Sequence, residues 1–338
     1  MKVVRKFMGL FNKRYDGVPA KVPYFRNVEP YVMETRDESI GSLNIQFDLT
    51  KTLPYIKKLN EEAGHDKKTR FTLFHVVLAA MTRTIALYPH LNRFIAGRKY
   101  WQRNRLNFSF VVKKQMKAYA KETFAKMDFD PYSTLESVRK QVHDHVNVAR
   151  SDSGNETEDH TDDFGKLPRW ILRPALKFMK WLEFYGWMPK SMIEPDPLYC
   201  SVILANLGSV GLQGQILHHI FEWGNASIFV VVGKIHKVPV VIERDGKDEI
   251  VAREIVDIGV TIDERISEGL YYMLALKEVQ RLVEHPEDLM ERPEIPEKAL
   301  KTLGLVDLDV LKKKRKKIDK KQAKKHKKAA KVAAKAEK

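Results

Sequence analysis

Few side chains in this sequence combine a reactive type with a spacing that could do chemistry. Leu217-His218-His219-Ile220-Phe221 offers two imidazoles, whose ordinary pKa of about 6.5 suits a general base at neutral pH. Adjacent histidines on an extended segment point to opposite sides, so at most one can face a given site. His143-Asp144-His145 has metal-ligand types, but a helix splays positions i and i+2 apart and no third ligand stands nearby, which argues against a metal. Gly208-Ser-Val-Gly-Leu-Gln-Gly214 is glycine-rich without the closing Gly-Lys-Ser/Thr of a phosphate loop, and reads as a turn. The single cysteine, Cys200, excludes an intramolecular disulfide and any multi-cysteine metal site, and points to a reducing compartment, the cytoplasm.

The elements that must position these groups follow from hydrophobic periodicity. Ser42–Thr50 alternates like a half-buried strand, and Thr52–Ala63 reads as a helix. Residues 71–88 form a strongly apolar core helix with Thr72 as its N-cap and Pro89 as its stop. Strand-like stretches at 94–101, 106–113 and about 116–124 suit a meander, and 134–149 returns to helical spacing. A further helix sets Arg169, Arg173, Lys177 and Lys180 in a basic stripe beside Trp170, Phe178, Trp181 and Phe184, with Pro174 expected to kink or divide it. Such a helix can cover a core or channel mouth, the reading we favour, or lie on a membrane surface. Short β-rich runs at 199–206, 227–235, 238–243 and 249–262 precede a last helix over 266–284. This order predicts an α/β fold, a mixed sheet covered by helices.

Charge separates a body from a tail. The chain of 338 residues has a formal net charge of +16, and residues 311–338 hold 15 Lys/Arg against Asp319 and Glu337, so +13 of it is local. That Lys-rich tail reads as disordered, able to attract nucleic acid or another polyanion by counterion release without base stacking, since no aromatic residue is interleaved. Residues 1–27 read as a basic N-terminal arm, 28–300 as one domain, and 151–163 within it as an acidic mobile loop. The most hydrophobic late stretch, 167–188, carries too many charges to span a bilayer, so no transmembrane segment is expected.

Gly259-Val-Thr-Ile-Asp263-Glu264-Arg265-Ile-Ser-Glu268-Gly269, followed by a helix, resembles the signature of the 2-oxoacid dehydrogenase acyltransferase catalytic domain. Asn206-Leu-Gly208 after a buried strand, Val231-Val-Gly-Lys-Ile235 and Tyr88-Pro-His-Leu-Asn92 are similar to further motifs of that family, in the same order, over residues 30–290 or so. The resemblance implies a chloramphenicol acetyltransferase-like two-layer sandwich, a homotrimer with active channels between subunits, coenzyme A or acyl-CoA as substrate and an acyl acceptor that the sequence does not name. The lipoyl and subunit-binding modules of full-length dihydrolipoyl acyltransferases are not seen, so no lipoyl attachment is expected in this chain; nor is a metal.

The family signature reads Asp-His-Arg-x-x-Asp-Gly, in which the histidine is the general base; here Glu264 stands in its place and Glu268 in that of the aspartate. Ala205 stands where a Ser or Thr hydroxyl commonly steadies the oxyanion. A free carboxylate, with a pKa of about 4.3, takes a proton from a thiol, at about 8.5, uphill by roughly 4 units, so Glu264 needs burial to serve as a base. The alternative base is His219, since this loop follows Asn206-Leu-Gly208 and its family counterpart lies near the substrate channel. Ala205, Asn206, Gly208 and His218 are then expected to line the substrate path, and Arg36 to pair with Glu268 and fix the turn before the last helix. The two functional readings are a coenzyme A-dependent acyltransferase with an altered site and a catalytically inactive relative acting as a binding or assembly scaffold.

Overall fold

The computed structural model describes residues 14–65, 69–113, 122–150, 166–212 and 217–305. The acidic segment 151–163, the tail 311–338 and the first half of the N-terminal arm lie outside the described residues.

Ten strands are assigned among them: β1 Gly17–Pro19, β2 Ile40–Asp48, β3 Arg93–Ala96, β4 Lys99–Arg103, β5 Asn107–Lys113, β6 Glu122–Asp128, β7 Val202–Asn206, β8 Ile228–Val232, β9 His236–Arg244 and β10 Lys247–Asp263. The helices are α1 Glu29–Val32, α2 Thr52–Glu62, α3 Leu73–Leu87, α4 Leu135–Arg150, α5 Arg169–Tyr185, α6 Lys190–Ile193, α7 Gly269–Glu284 and α8 Glu297–Leu303. The main sheet runs β2-β10-β8-β7-β5-β6, with β7 parallel to both β5 and β8 and the other neighbours antiparallel. It is the mixed sheet the sequence predicts, with α3, α4 and α7 laid over one face.

Strand β10 organises this sheet. Its first nine residues pair with β9 in a hairpin, its last nine pair with β2, and Ile258–Ile262 among these lie between β2 and β8. Side chains alternate there: Ile258, Val260 and Ile262 face the helices, where they meet Phe47, Val77, Val230 and Tyr272 in the main core. On β8 the same alternation sends Ile228, Val230 and Val232 to the helix side, and Phe229 and Val231 to the opposite face.

Helix α3 is buried from His75 to Ala86, as its unbroken apolar run requires. Its start carries a reciprocal capping box in which His75, rather than Glu or Gln, accepts from the Thr72 backbone N–H through Nδ1 at 3.1 Å.

The structure corrects the sequence reading at several points. The stretch 94–101 is two strands, because Gly97 (φ 58°) and Arg98 (φ 60°) make a tight left-handed turn between β3 and β4. Those strands join β1 in a separate three-stranded sheet, so there is no single meander. Because β1 pairs with β4, the folded body includes residues before 28, where a basic arm is expected. Pro174 does not divide α5, which runs unbroken through it. The last helix starts at Gly269, three residues later than expected, because Glu264–Ile266 forms a 3-10 turn capped by the Asp263 side chain.

Two expectations follow. A Cβ at Gly97 would stand 1.9 Å from the Phe184 carbonyl oxygen, so Gly97→Ala should lower unfolding free energy by about 2–4 kcal/mol in denaturant melts. Gly246→Ala, at φ 74° with open space around it, should lose only the left-handed strain, about 1–2 kcal/mol. Burial, then the Arg139 and His143 charges, hold the His75 imidazole down at about 4, against an ordinary 6.5. The unfolded chain therefore binds the proton first, and stability that is fully present above pH 6.5 should drain away as pH falls towards 4, less steeply in His75→Gln.

Candidate functional site

The turn that closes β10 is built from buried charge. Asp263 and Arg265 form a pair with both side chains essentially inaccessible: Arg265 Nε donates to Oδ1 at 2.9 Å and Nη2 to Oδ2 at 2.8 Å. Arg265 Nη1 also donates to the Met33 carbonyl at 2.7 Å, tying the turn to the segment before β2. Arg26 donates to the Arg265 carbonyl at 2.7 Å and to the Ser267 carbonyl at 3.2 Å. Tyr272, one turn into α7, donates its hydroxyl to the Glu264 and Ser267 carbonyls and accepts from the Ser267 N–H at 3.1 Å.

With its backbone held on three sides, the turn presents Glu264 and Glu268 outward, and both are exposed. They line a recess of about 560 Å³ together with Arg26, Glu29, Ser42 and Ser267. Its floor, made of Leu43, Ile262 and Tyr272, belongs to the helix side of the sheet.

Arg36 does not pair with Glu268. Glu268 meets Arg26 instead, at 3.8 Å and from a side chain that is 71% exposed. Arg36 is buried elsewhere, donating to the carbonyls of Phe221 (3.1 Å), Glu222 (3.1 Å), Gly224 (2.8 Å) and Ile95 (3.4 Å). The Glu222 carboxylate accepts from the Arg36 N–H at 2.7 Å and the Asp37 N–H at 3.2 Å. Burial lowers the Arg36 pKa from its ordinary value, with the Asp263 and Glu222 charges acting against that trend. Arg36 thus clamps the segment that follows the paired histidines.

That segment places the imidazoles differently from the extended-chain expectation. His218 and His219 do not diverge: their rings stack with centroids 4.6 Å apart, and His218 stacks in turn on Phe229 at 4.1 Å. The chain here is irregular rather than a strand, so strand alternation does not apply. His218 Nδ1 lies 2.7 Å from the His219 carbonyl oxygen. A carbonyl oxygen can only accept, so Nδ1 carries a proton, and in the neutral ring the lone pair is then on Nε2. His219 is the more exposed of the two.

Ala205 and Asn206 end β7 beside Val231 and Val232 of β8. Ala205 packs with Phe229, Val231 and Ile220 on the face away from the helices, the face on which His218 sits. The Asn206 carboxamide accepts from the Ser209 N–H at 3.3 Å and so caps the following 3-10 turn. Gly208 is needed for a close approach: a Cβ there would stand 2.3 Å from the Gly233 carbonyl, so the Asn206-Leu-Gly208 and Val231–Ile235 motifs meet backbone to backbone. Among the described residues no group of three or more His, Cys, Asp or Glu side chains could hold a metal ion.

The candidate residues therefore form two half-sites in one chain. Glu264, Glu268 and Arg26 rim the helix side of the sheet; Ala205, His218 and His219 occupy the other face. Phe229, under His218, pairs with Thr261 of β10, three residues before Glu264, a step of roughly 10 Å along the chain. Sequence reasoning missed Arg26 and Glu222, which lie far along the chain from the groups they hold; their acid and guanidinium types were the only signal.

Comparison with known proteins bears on this geometry. Residues 200–291 match the family model described as 2-oxoacid dehydrogenases acyltransferase (catalytic domain). A probable dihydrolipoamide acetyltransferase from Listeria monocytogenes is similar in structure, with 17% identity, a TM-score of 0.50, and coverage of 82% of this chain and 97% of that one. The cubic core of a pyruvate dehydrogenase multienzyme complex matches at 14% identity, TM-score 0.50, over 80% of this chain and 93% of that one. The dihydrolipoamide acetyltransferase of Azotobacter vinelandii, whose catalytic mechanism has been probed at a serine, a histidine and an asparagine, matches at 15% identity, TM-score 0.50, with the same two coverages. Comparison with curated proteins gives no match. The resemblance read from the sequence is thus shown: the described body has the fold of the 2-oxoacid dehydrogenase acyltransferase catalytic domain, and its residues 200–291 match that family's model.

Proposed function

We propose that the chain is a coenzyme A-dependent acyltransferase whose site is completed between copies, with His218 as its base. The observation that carries this reading is the held imidazole: the hydrogen bond from Nδ1 to the His219 carbonyl leaves Nε2 free to take a proton, and stacking on Phe229 fixes the ring plane. In the reaction the acceptor's nucleophilic atom loses its proton to Nε2 as it attacks the thioester carbonyl. The tetrahedral oxyanion then collapses and expels the coenzyme A thiolate, which recovers the proton from the imidazolium. Ala205 supplies no hydroxyl to that oxyanion, a loss typically worth a factor of about 10² to 10³.

Glu264 is the weaker candidate, because it stands exposed at the recess rim and lacks the desolvation that would make a carboxylate a useful base. His219 keeps a supporting role, since its carbonyl sets the tautomer of its neighbour. The exposed apolar side chains favour association of copies, which accords with the expected trimer. Tyr24, Phe25, Leu270 and Met273 adjoin the Glu264 recess and Leu217 adjoins the imidazoles, so neighbouring copies would dry both half-sites. A cytoplasmic location and polyanion binding through residues 311–338 accompany this reading; among the described residues no helix is long and apolar enough to cross a membrane.

The exposed Glu264 and the missing hydroxyl at Ala205 favour one second reading, a scaffold that retains the fold without chemistry. Calorimetric titration of coenzyme A at moderate salt separates the two, with inorganic pyrophosphate as the control for binding to the basic tail. Saturable binding near one per chain that pyrophosphate does not reproduce is expected; its absence would leave the scaffold. His218→Gln should then lower transfer by about 10² or more with coenzyme A affinity retained, and Glu264→Gln by less than about tenfold. Arg36→Met, which strips donors from four carbonyls, should lower stability by about 3 kcal/mol and speed amide exchange across 218–224.

A further inference from the structure

Helix α5 has two apolar sides and a use for only one of them in the fold. Its inner side carries Leu176 and Met179, which pack with Met188, Ile193 and Tyr199. Its outer side carries Trp170, Phe178, Trp181 and Phe184, which are 77%, 58%, 46% and 48% exposed. At a helical step of about 100° per residue these four fall within roughly 120° of arc, a continuous aromatic stripe on a helix roughly 25 Å long. Phe178 and Trp181 stack at 5.9 Å, which keeps the stripe flat.

Arg169, Lys180, Arg173 and Lys177 form a second stripe that overlaps one edge of the first, and all four are exposed. None of them has an ion-pair partner among the described residues. The helix's single acid, Glu183, points inward, where it accepts from Arg14 at 2.9 Å and from the Tyr199 hydroxyl at 3.2 Å. The outer face is thus purely cationic and aromatic. A second copy of this chain seated on the same stripe would set four cations against four cations, which disfavours self-association there. A surface that is anionic at its edge and apolar a few ångströms deeper satisfies both stripes together.

We infer that the outer face of α5 lies in the headgroup region of an anionic lipid bilayer, with its aromatic side chains reaching the acyl chains. Two attractions of one sign then act together, because the 15 Lys/Arg of residues 311–338 are drawn to the same charge. The protein sits on the membrane and does not span it. This inference does not depend on the acyltransferase reading, since α5 contributes none of the candidate site residues.

The test uses the full chain with vesicles of phosphatidylcholine alone and of phosphatidylcholine with phosphatidylglycerol, with and without brominated acyl chains. Sedimentation with the anionic vesicles only is expected, together with bromine quenching of tryptophan fluorescence, because Trp170 and Trp181 reach the chains. Trp170→Ser with Trp181→Ser should keep the far-ultraviolet dichroism and the sedimentation mass, lose the quenching, and bind anionic vesicles about tenfold more weakly. Should that variant fail to fold, Phe178→Ser with Phe184→Ser reads the same binding loss with the tryptophans in place. Binding without quenching would mean that the tail alone holds the protein, and would overturn the inference. A change of oligomeric mass in the aromatic variants would assign the stripe to a copy interface, and no vesicle binding at all would assign it to an acidic protein partner; either result also defeats it.

Discussion

The pair between Asp263 and Arg265 is the interaction on which the rest of the candidate site depends. Both side chains are buried, so neither charge has water to fall back on, and removing either partner would strand the other at a cost of about 3–5 kcal/mol. Such a pair adds little to net stability over an apolar replacement of the same size; what it adds is a fixed geometry. It stops β10 at a defined residue and turns the chain into α7. It also leaves Arg265 Nη1 pointing at the Met33 carbonyl, which sets where β2 begins. Glu264, between the two, takes no part in the pair, so the turn is held in shape independently of the side chain it presents.

Arginine clamps on backbone carbonyls are the recurring device in this fold. Arg26 holds the carbonyls of 265 and 267, Arg36 those of 221, 222 and 224, and Arg103 that of Asn225. Each clamp secures a segment with no ladder of its own, where buried carbonyls would otherwise lack donors. Asn225 donates in turn to Asp16, and Arg14 joins Asp16 to Glu183 of α5. One polar network therefore runs from the N-terminal segment through the small sheet to the helix with the aromatic stripe. Loops held this way can carry chemistry on a rigid scaffold, because their shape no longer depends on the loop residues themselves.

Much of the fold was legible because it follows from local pattern. The apolar run of α3, the alternation of β2 and the turn-bounded runs of β8 to β10 each state their element within a short window, and the four motifs supplied the topology. The misses share a cause, which is that they depend on tertiary contacts. Nothing in Ala96-Gly97-Arg98-Lys99 marks Arg98 as a left-handed residue. Whether Glu268 meets Arg26 or Arg36 is decided over more than 230 residues of chain, as roughly as any guanidinium could be guessed. The stacking of His218 on His219 comes with an irregular backbone just ahead of the segment that Arg36 clamps, where strand geometry would have separated the rings.

The separation of the two half-sites limits what a single copy can do. Proton transfer needs donor and acceptor within about 3 Å of each other or joined by one water, and the imidazoles and Glu264 lie on opposite faces of a sheet with a strand offset besides. No rearrangement short of unpairing β8 from β10 would bring them together in one chain. The apolar residues of the face that holds His218 and Ala205 are buried, but His219 is exposed, so on the proposed reading the imidazoles of a lone copy would stand beside bulk water. Covering that face with a neighbour would bring in the neighbour's own rim of Arg26, Glu264 and Glu268 and would exclude water from the stacked rings. Assembly would then supply both the second half of the site and the low-dielectric setting in which a single imidazole and a few oriented N–H groups are worth most.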